Sequence, residues 1–385
     1  MGIVQTWNNS VKVFECIKCN QQFSPNDYFT GCPVCLKKQQ PSSLKFLYEQ
    51  DMPWKIDKSA KGMFRYADRL PYKTFPTLGE GETPIISMNG LEKELGIPEI
   101  WLKNEGQNPT GSHKDRMSPL IVARAASLNR STVIAASSGN AGASLAAYAA
   151  AAGLRCKIVT TPKINGPWEK AIRLSGAEII KVQNSLERWE TVRKLVEEEG
   201  DYPATNYNIP PVGSNMFGVQ GYTTVAYEIV EQLRECQPTA VIIPCARGDL
   251  LWGIWEGFVE SLQLGWIESI PRLYAVEPFP RLAHVLQGRD YRGEFRGDSR
   301  LLPSIGGETV TYQSLDAIKS SRGDAIVVTN TEVEKAQWDL AKRGIFAEGS
   351  AAITWPAVSK LVKTGKIDEN DRVLLMITSH GFKGV

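Results

Sequence analysis

The chain has 385 residues, 42% hydrophobic and 22% charged, with a formal net charge of +2. That length holds two packed domains and a small accessory module, and the composition is that of a soluble globular protein. No basic block marks a nucleic-acid surface, and no run reaches the ~18 to 20 apolar residues that span a bilayer. Residues 1–13 lack the apolar stretch of a secretory signal, so a cytoplasmic protein acting on a small molecule, without nucleic-acid or membrane partners, is expected.

In chain order, residues 10–40 come first. Cys16, Cys19, Cys32 and Cys35 form two CxxC pairs separated by twelve residues. Two such knuckles suit tetrahedral thiolate coordination of one Zn²⁺ at ~2.3 Å. Disulfides are the alternative, but a chain without a secretory signal does not meet an oxidising compartment. With no histidine or open position in the cluster, the zinc is expected to be structural. Cys156, Cys236 and Cys245 lie in apolar contexts and read as buried thiols.

Residues 41–75 are weakly patterned and read as a wrapping connector. From about residue 85, short apolar runs alternate with helical patterns. Strands are expected at 100–103, 132–136, 157–160, 178–182, 240–244, 273–276, 325–328 and 373–377. Helices are expected at 118–128, 141–152, 168–174, 186–199, 219–233, 250–262, 332–343 and 350–363. This alternation predicts an α/β protein with two doubly wound lobes, each a parallel sheet covered on both faces. Pro210-Pro211-Val212-Gly213 reads as a crossing between them.

The densest chemistry is in residues 108–116, Asn-Pro-Thr-Gly-Ser-His-Lys-Asp-Arg. Lys114 there sits in a Pro/Gly turn just before a helix. A helix N-terminus disfavours ammonium, and a neutral lysine condenses with an aldehyde to form a Schiff base. An ordinary lysine on a capped surface helix is the plain alternative. Ligands of doubly wound sheets bind at the carboxyl ends of strands. Three more strand-to-helix turns, at 137–142, 244–250 and 378–381, have suitable residues for that.

Residues 108–116 resemble the cofactor-lysine motif of threonine synthases, which are fold type II pyridoxal-phosphate (PLP) enzymes of tryptophan synthase β-like architecture. Residues 79–84 and 102–106 look like the same family's lead-in. The resemblance implies that Lys114 carries PLP and that Asn140 hydrogen-bonds the PLP 3′-oxygen. It also implies that the loop Ala246, Arg247, Gly248, Asp249 and Leu250 cradles the phosphate with backbone N–H groups. Thr378, with Ser379 as fallback, matches the hydroxyl that faces the pyridine nitrogen. A neutral hydroxyl there leaves a gentler electron sink, suited to elimination and replacement. Thr110, Ser137, Ser138 and Asn184 match substrate positions, the last two where the family binds substrate phosphate. The family's N-terminal ribbon agrees with the zinc reading, and a homodimer is usual. The domains expected are a zinc ribbon at 10–40, a large PLP-binding domain at 41–117 and 212–385, and a small α/β domain at 118–211.

Several residues depart from the family pattern. Ala246 replaces a usual glycine, and the Asp249 carboxylate would repel phosphate unless turned away, perhaps as a helix cap. Arg247 then either pairs with phosphate or with Asp249. Met117 replaces the glycine after Lys-Asp-Arg, and Glu190 stands at the usual arginine offset, with Arg188 read as lying on another helical face. His113, where phenylalanine is common, either packs as an aromatic or lowers the Lys114 pKa. These departures leave PLP chemistry intact and predict β- or γ-replacement or elimination on a phosphorylated or acylated amino acid, with altered substrate. The alternatives are threonine synthase proper, a serine/threonine deaminase, and a zinc-ribbon binding module on an inactive scaffold.

Overall fold

The computed structural model describes residues 5–49, 54–88, 90, 94–164 and 166–383. Residues 50–53, within the stretch read as a connector, lie outside the described residues. So do 89, 91–93 and 384–385 of the range read as the large domain. The chain forms two compact units, Met1–Glu82 with Lys114–Tyr222 and Thr83–His113 with Thr223–Val385.

In the first unit, the described strands Glu178–Lys181, Arg155–Thr160, Thr132–Ala136 and Tyr202–Pro203 form a parallel sheet in that spatial order. Its inner strand, Thr-Val-Ile-Ala-Ala, is buried along nearly its whole length, as a strand covered on both faces should be. The helix Asn140–Ala151 packs close because its residues are small. A Cβ on Gly142 would stand 3.1 Å from Ile158 Cγ2. The helix read as 219–233 is two helices, Met216–Gln220 and Thr223–Gln232. The break falls at Gly221, where a Cβ would lie 1.8 Å from the Arg116 carbonyl oxygen. Only glycine allows that approach.

The cysteine-bearing segment is an antiparallel sheet of Gln22–Phe23, Val11–Cys16 and Leu44–Tyr48 with the short helix Pro33–Lys37. The register sets Phe14 opposite Phe46, and both pack on Phe217. The connector is therefore more ordered than its pattern suggests. Besides Leu44–Tyr48 it contains a 3₁₀ helix, Gly62–Arg69, and the strand Tyr72–Thr74, paired with Thr6–Trp7. These strands are too short for periodicity to register.

In the second unit the strand order is Asp324–Val327, Arg272–Glu277, Ala240–Pro244, Arg372–Ile377, Glu99–Asn104 and Ile85–Ser87. All neighbours run parallel except the last pair. Ala240–Pro244 is wholly buried. Each buried Ile, Val or Leu in this core, such as Ile242 and Leu375, contributes about 1.5–3 kcal/mol. The helix Tyr312–Ser320, unread in the sequence, lies alongside the helix Asp249–Gln263. Among the described residues, no helix is long and apolar enough to cross a membrane.

Candidate active site

The candidate residues fall in both units, and each group is described within its own. In the first unit, Lys114 follows the Pro/Gly turn in the 3₁₀ helix His113–Arg116, ahead of the helix Ser118–Ser127. Its Nζ donates to Tyr222 Oη at 3.1 Å. The backbone here is held firmly. Ser144 Oγ donates to the buried Asp115 carboxylate (2.7 Å) and so accepts from Ser118 Oγ (2.7 Å), which lies 3.3 Å from the Lys114 carbonyl oxygen. Ser144 belongs to the helix that begins at Asn140, so one hydrogen-bond chain ties the Lys114 turn to that helix.

Asn140 is buried at the first turn of that helix, and its Oδ1 accepts from Trp168 Nε1 at 3.3 Å. Ser137 Oγ accepts from the N–H groups of Gly139 (3.3 Å) and Gly142 (2.9 Å), so this hydroxyl shapes the turn. Asn184 caps the helix Ser185–Glu199, its Oδ1 accepting from Leu186 N and Glu187 N, both at 3.0 Å. Arg188, read as lying on another helical face than Glu190, turns toward the neighbouring turn. Its Nη1 donates to Ser138 Oγ (3.5 Å) and its Nη2 to Ser185 Oγ (2.9 Å). Helical side chains lean toward the N-terminus, so an arginine in the first turn reaches back over its own cap. The reach to Ser185 was legible, whereas the one to Ser138 was not. Tyr222, 108 residues from Lys114, had no local signal.

In the second unit, the strand Ala240–Pro244 feeds the loop at Cys245 and the helix Asp249–Gln263. Gly248 has φ 84°, and a Cβ there would stand 2.4 Å from Ser314 Cβ. The first N–H groups of a helix have no intrahelical partner, which makes this end an anion cradle. The Asp249 carboxylate is turned to Gln313, whose Nε2 donates to it at 2.6 Å. Leu250 is buried. Burial lowers the Arg247 pKa, the Asp249 charge opposes this, and the charge of Arg281 adds to the lowering. Arg281 supports the loop from below, donating to the Cys245 carbonyl (2.8 Å) and the Gly307 carbonyl and pairing with Glu277 (3.3 Å). Burial pushes the Cys245 thiol up to about 12, leaving it unreactive.

Thr378 and Ser379 follow the inner strand Arg372–Ile377. The Thr378 carbonyl accepts from His113 N (2.9 Å) and lies 3.1 Å from His113 Nδ1. His113 is thus anchored to this strand end. Thr110 is half-buried in the turn closed by Gly111 N donating to Asn108 O at 2.7 Å.

The four cysteines of the first unit bring their sulfurs within 4.8 Å of one another. Cys16 Sγ–Cys35 Sγ and Cys19 Sγ–Cys32 Sγ are each 3.7 Å apart, far beyond a disulfide bond of ~2.05 Å. The cluster could hold a metal ion.

The family of "Pyridoxal-phosphate dependent enzyme" matches residues 76–379. The chain belongs to that family. Within it, the chain is 33% identical over 380 residues to threonine synthase of Methanocaldococcus jannaschii, covering 96% of this chain and 92% of that one. It is 32% identical over 335 residues to threonine synthase of Bacillus sp. strain ULM1, covering 84% and 90%. Among solved structures, O-ureido-L-serine synthase superposes with a TM-score of 0.63 at 22% identity, covering 78% and 90%. The protein is a threonine synthase-like, PLP-dependent enzyme with the type II fold.

The residues of this PLP-family chain suit the cofactor. The loop at Gly248 opens a helix, whose first N–H groups are the donors a phosphate uses, and the nearby Asp249 carboxylate is engaged by Gln313. Ser112 and Ser379 are paired in an antiparallel bridge, and both Oγ atoms are buried without a hydrogen-bond partner among the described residues. Such orphaned hydroxyls are costly unless a ligand satisfies them.

Proposed function

We propose that this enzyme catalyses β- or γ-replacement or elimination on an amino acid with a phosphorylated or acylated side chain. The observation that carries the reading is Arg188, whose guanidinium meets Ser138 and Ser185 at a helix N-terminus. Two hydroxyls and a guanidinium are a donor set for an anion. This favours phosphate as the leaving group, and it supplies an arginine where Glu190 left none. This supports threonine synthase activity on phosphohomoserine, and so does the likeness to two threonine synthases. Membership in an enzyme family weighs against the inactive-scaffold alternative.

In this reading Lys114 holds PLP, which when bound supplies a sink for negative charge developing at the substrate Cα. Once free of the cofactor, Lys114 Nζ would take the Cα proton. Asn140 would bind the cofactor's ring hydroxyl, residues 246–250 would hold its phosphate, and Thr378 or Ser379 would lie at its ring nitrogen. Ser137 shapes the turn that presents Ser138, and Asn184 does the same for Ser185 and Arg188. Thr110 completes the substrate contacts.

The test is a substrate screen of the purified protein. O-phospho-L-homoserine is expected to shift the visible band and yield phosphate and threonine, with O-acetyl-L-serine a poorer substrate. Arg188→Ala should raise KM for the phosphorylated substrate about tenfold or more and leave the acylated one unchanged. Equal effects on both would remove the anion assignment. Release of ammonia and keto acid from serine or threonine would favour the deaminase.

We also propose that the cysteine cluster holds structural Zn²⁺. A tetrahedron with ~2.3 Å Zn–S bonds has edges of about 3.8 Å, close to the two 3.7 Å separations. One zinc per chain should co-purify. Its removal by a chelator should lower the melting temperature by several degrees, since metal binding is coupled to folding of this segment. A metal-free protein that melts identically with and without chelator would refute the assignment.

A further inference from the structure

Two residues under the Lys114 turn are not used by the reaction scheme above. Tyr222 is fully buried, accepts from Lys114 Nζ at 3.1 Å, and donates to Met117 Sδ at 3.4 Å. A phenol has one proton. With that proton turned to sulfur, Tyr222 presents a lone pair to the amine. Met117 is the residue that stands where the resembling family has glycine. The helix Met216–Gln220 makes room for it with Gly218, where a Cβ would lie 2.6 Å from Met117 Cγ. Gly221 then brings the chain against the Arg116 carbonyl and delivers Tyr222 to Lys114.

We propose that Met117 and Tyr222 form a positioning pair that raises the proton affinity of Lys114, so that its amine is a stronger base toward the substrate Cα. The inference rests on the reading of Lys114 as the PLP lysine. A hydroxyl free to rotate would divide its time between donating to the neutral amine and accepting from the ammonium. The thioether, a weak acceptor, tips it to the second. A hydrogen bond to the charged partner is the stronger of the two, so the bias favours the protonated lysine.

The full-length chain, stripped of PLP with hydroxylamine, is mixed with PLP, and growth of the visible band is followed from about pH 6 to 10. Only the neutral amine condenses, so the midpoint of the rate profile reports the lysine's proton affinity. In Met117→Leu and Tyr222→Phe the midpoint should fall, and capture below the midpoint should be roughly three- to tenfold faster. A purely structural role would lower the melting temperature and leave the midpoint in place. Midpoints equal to wild type in the folded variants overturn the proposal. Met117→Leu conserves volume, so the test survives if Tyr222→Phe does not fold. A wild-type chain that never forms the band refutes the cofactor-lysine reading and the pair with it, whereas a band with unmoved midpoints refutes the pair alone.

Discussion

Lys114→Ala is expected to lack the visible absorption band of bound PLP and to lose turnover by roughly a thousandfold or more, the range of a lost general base. The variant removes both the amine that condenses with the cofactor and the base that accepts the substrate proton. The fold should survive, because Lys114 Nζ makes a hydrogen bond to Tyr222 while the turn is held by Ser118, Ser144 and Asp115. Spectra before and after borohydride, beside a melting curve, decide it. A band that persists in the variant and is still quenched by borohydride would assign the cofactor to a different lysine.

Lys103→Met should be the most damaging single change to stability. Lys103 and Glu228 are buried side chains, with Nζ 2.7 Å from the carboxylate. The ammonium also donates to the Thr83 carbonyl (2.7 Å) and to Gln232 Oε1 (2.8 Å), so its three protons have three acceptors. Methionine fills the volume but leaves the buried Glu228 carboxylate without the Lys103 ammonium. Breaking such a pair costs about 3–5 kcal/mol. For a unit of this size that lowers the melting temperature on the order of 10 °C. Lys103→Met with Glu228→Leu should recover much of the loss, since an apolar pair carries no desolvation penalty. Loss of the same size in the single and double variants would show that the packing, rather than the stranded charge, is what matters.

Neighbouring residues divide sharply in how far their roles could be read from sequence. The strand at 100–103 was legible from its apolar run, yet nothing in that run marks Lys103 at its end as buried. Its burial depends on Glu228 and Gln232, more than a hundred residues away. Asp249 looked like a threat to a phosphate loop. Its resolution is Gln313, on a helix whose pattern was too mixed to read. The helix at 219–233 was continuous by periodicity, and the close approach of Gly221 to Arg116 breaks it.

By itself, the sequence determined the order and type of the main elements, the cysteine spacing, the turns that carry polar groups, and membership in the threonine synthase-like PLP family. Each of these is local, written in periodicity, turn residues or motifs a few residues long. Only the tertiary structure decided that Arg188 reaches Ser138, that Tyr222 and Met117 meet Lys114, and that Ser112 and Ser379 hold orphaned hydroxyls side by side. Those are relations between residues far apart in the chain. Hydrogen-bond partners across such separations are set by how sheets and helices pack, which no local pattern encodes.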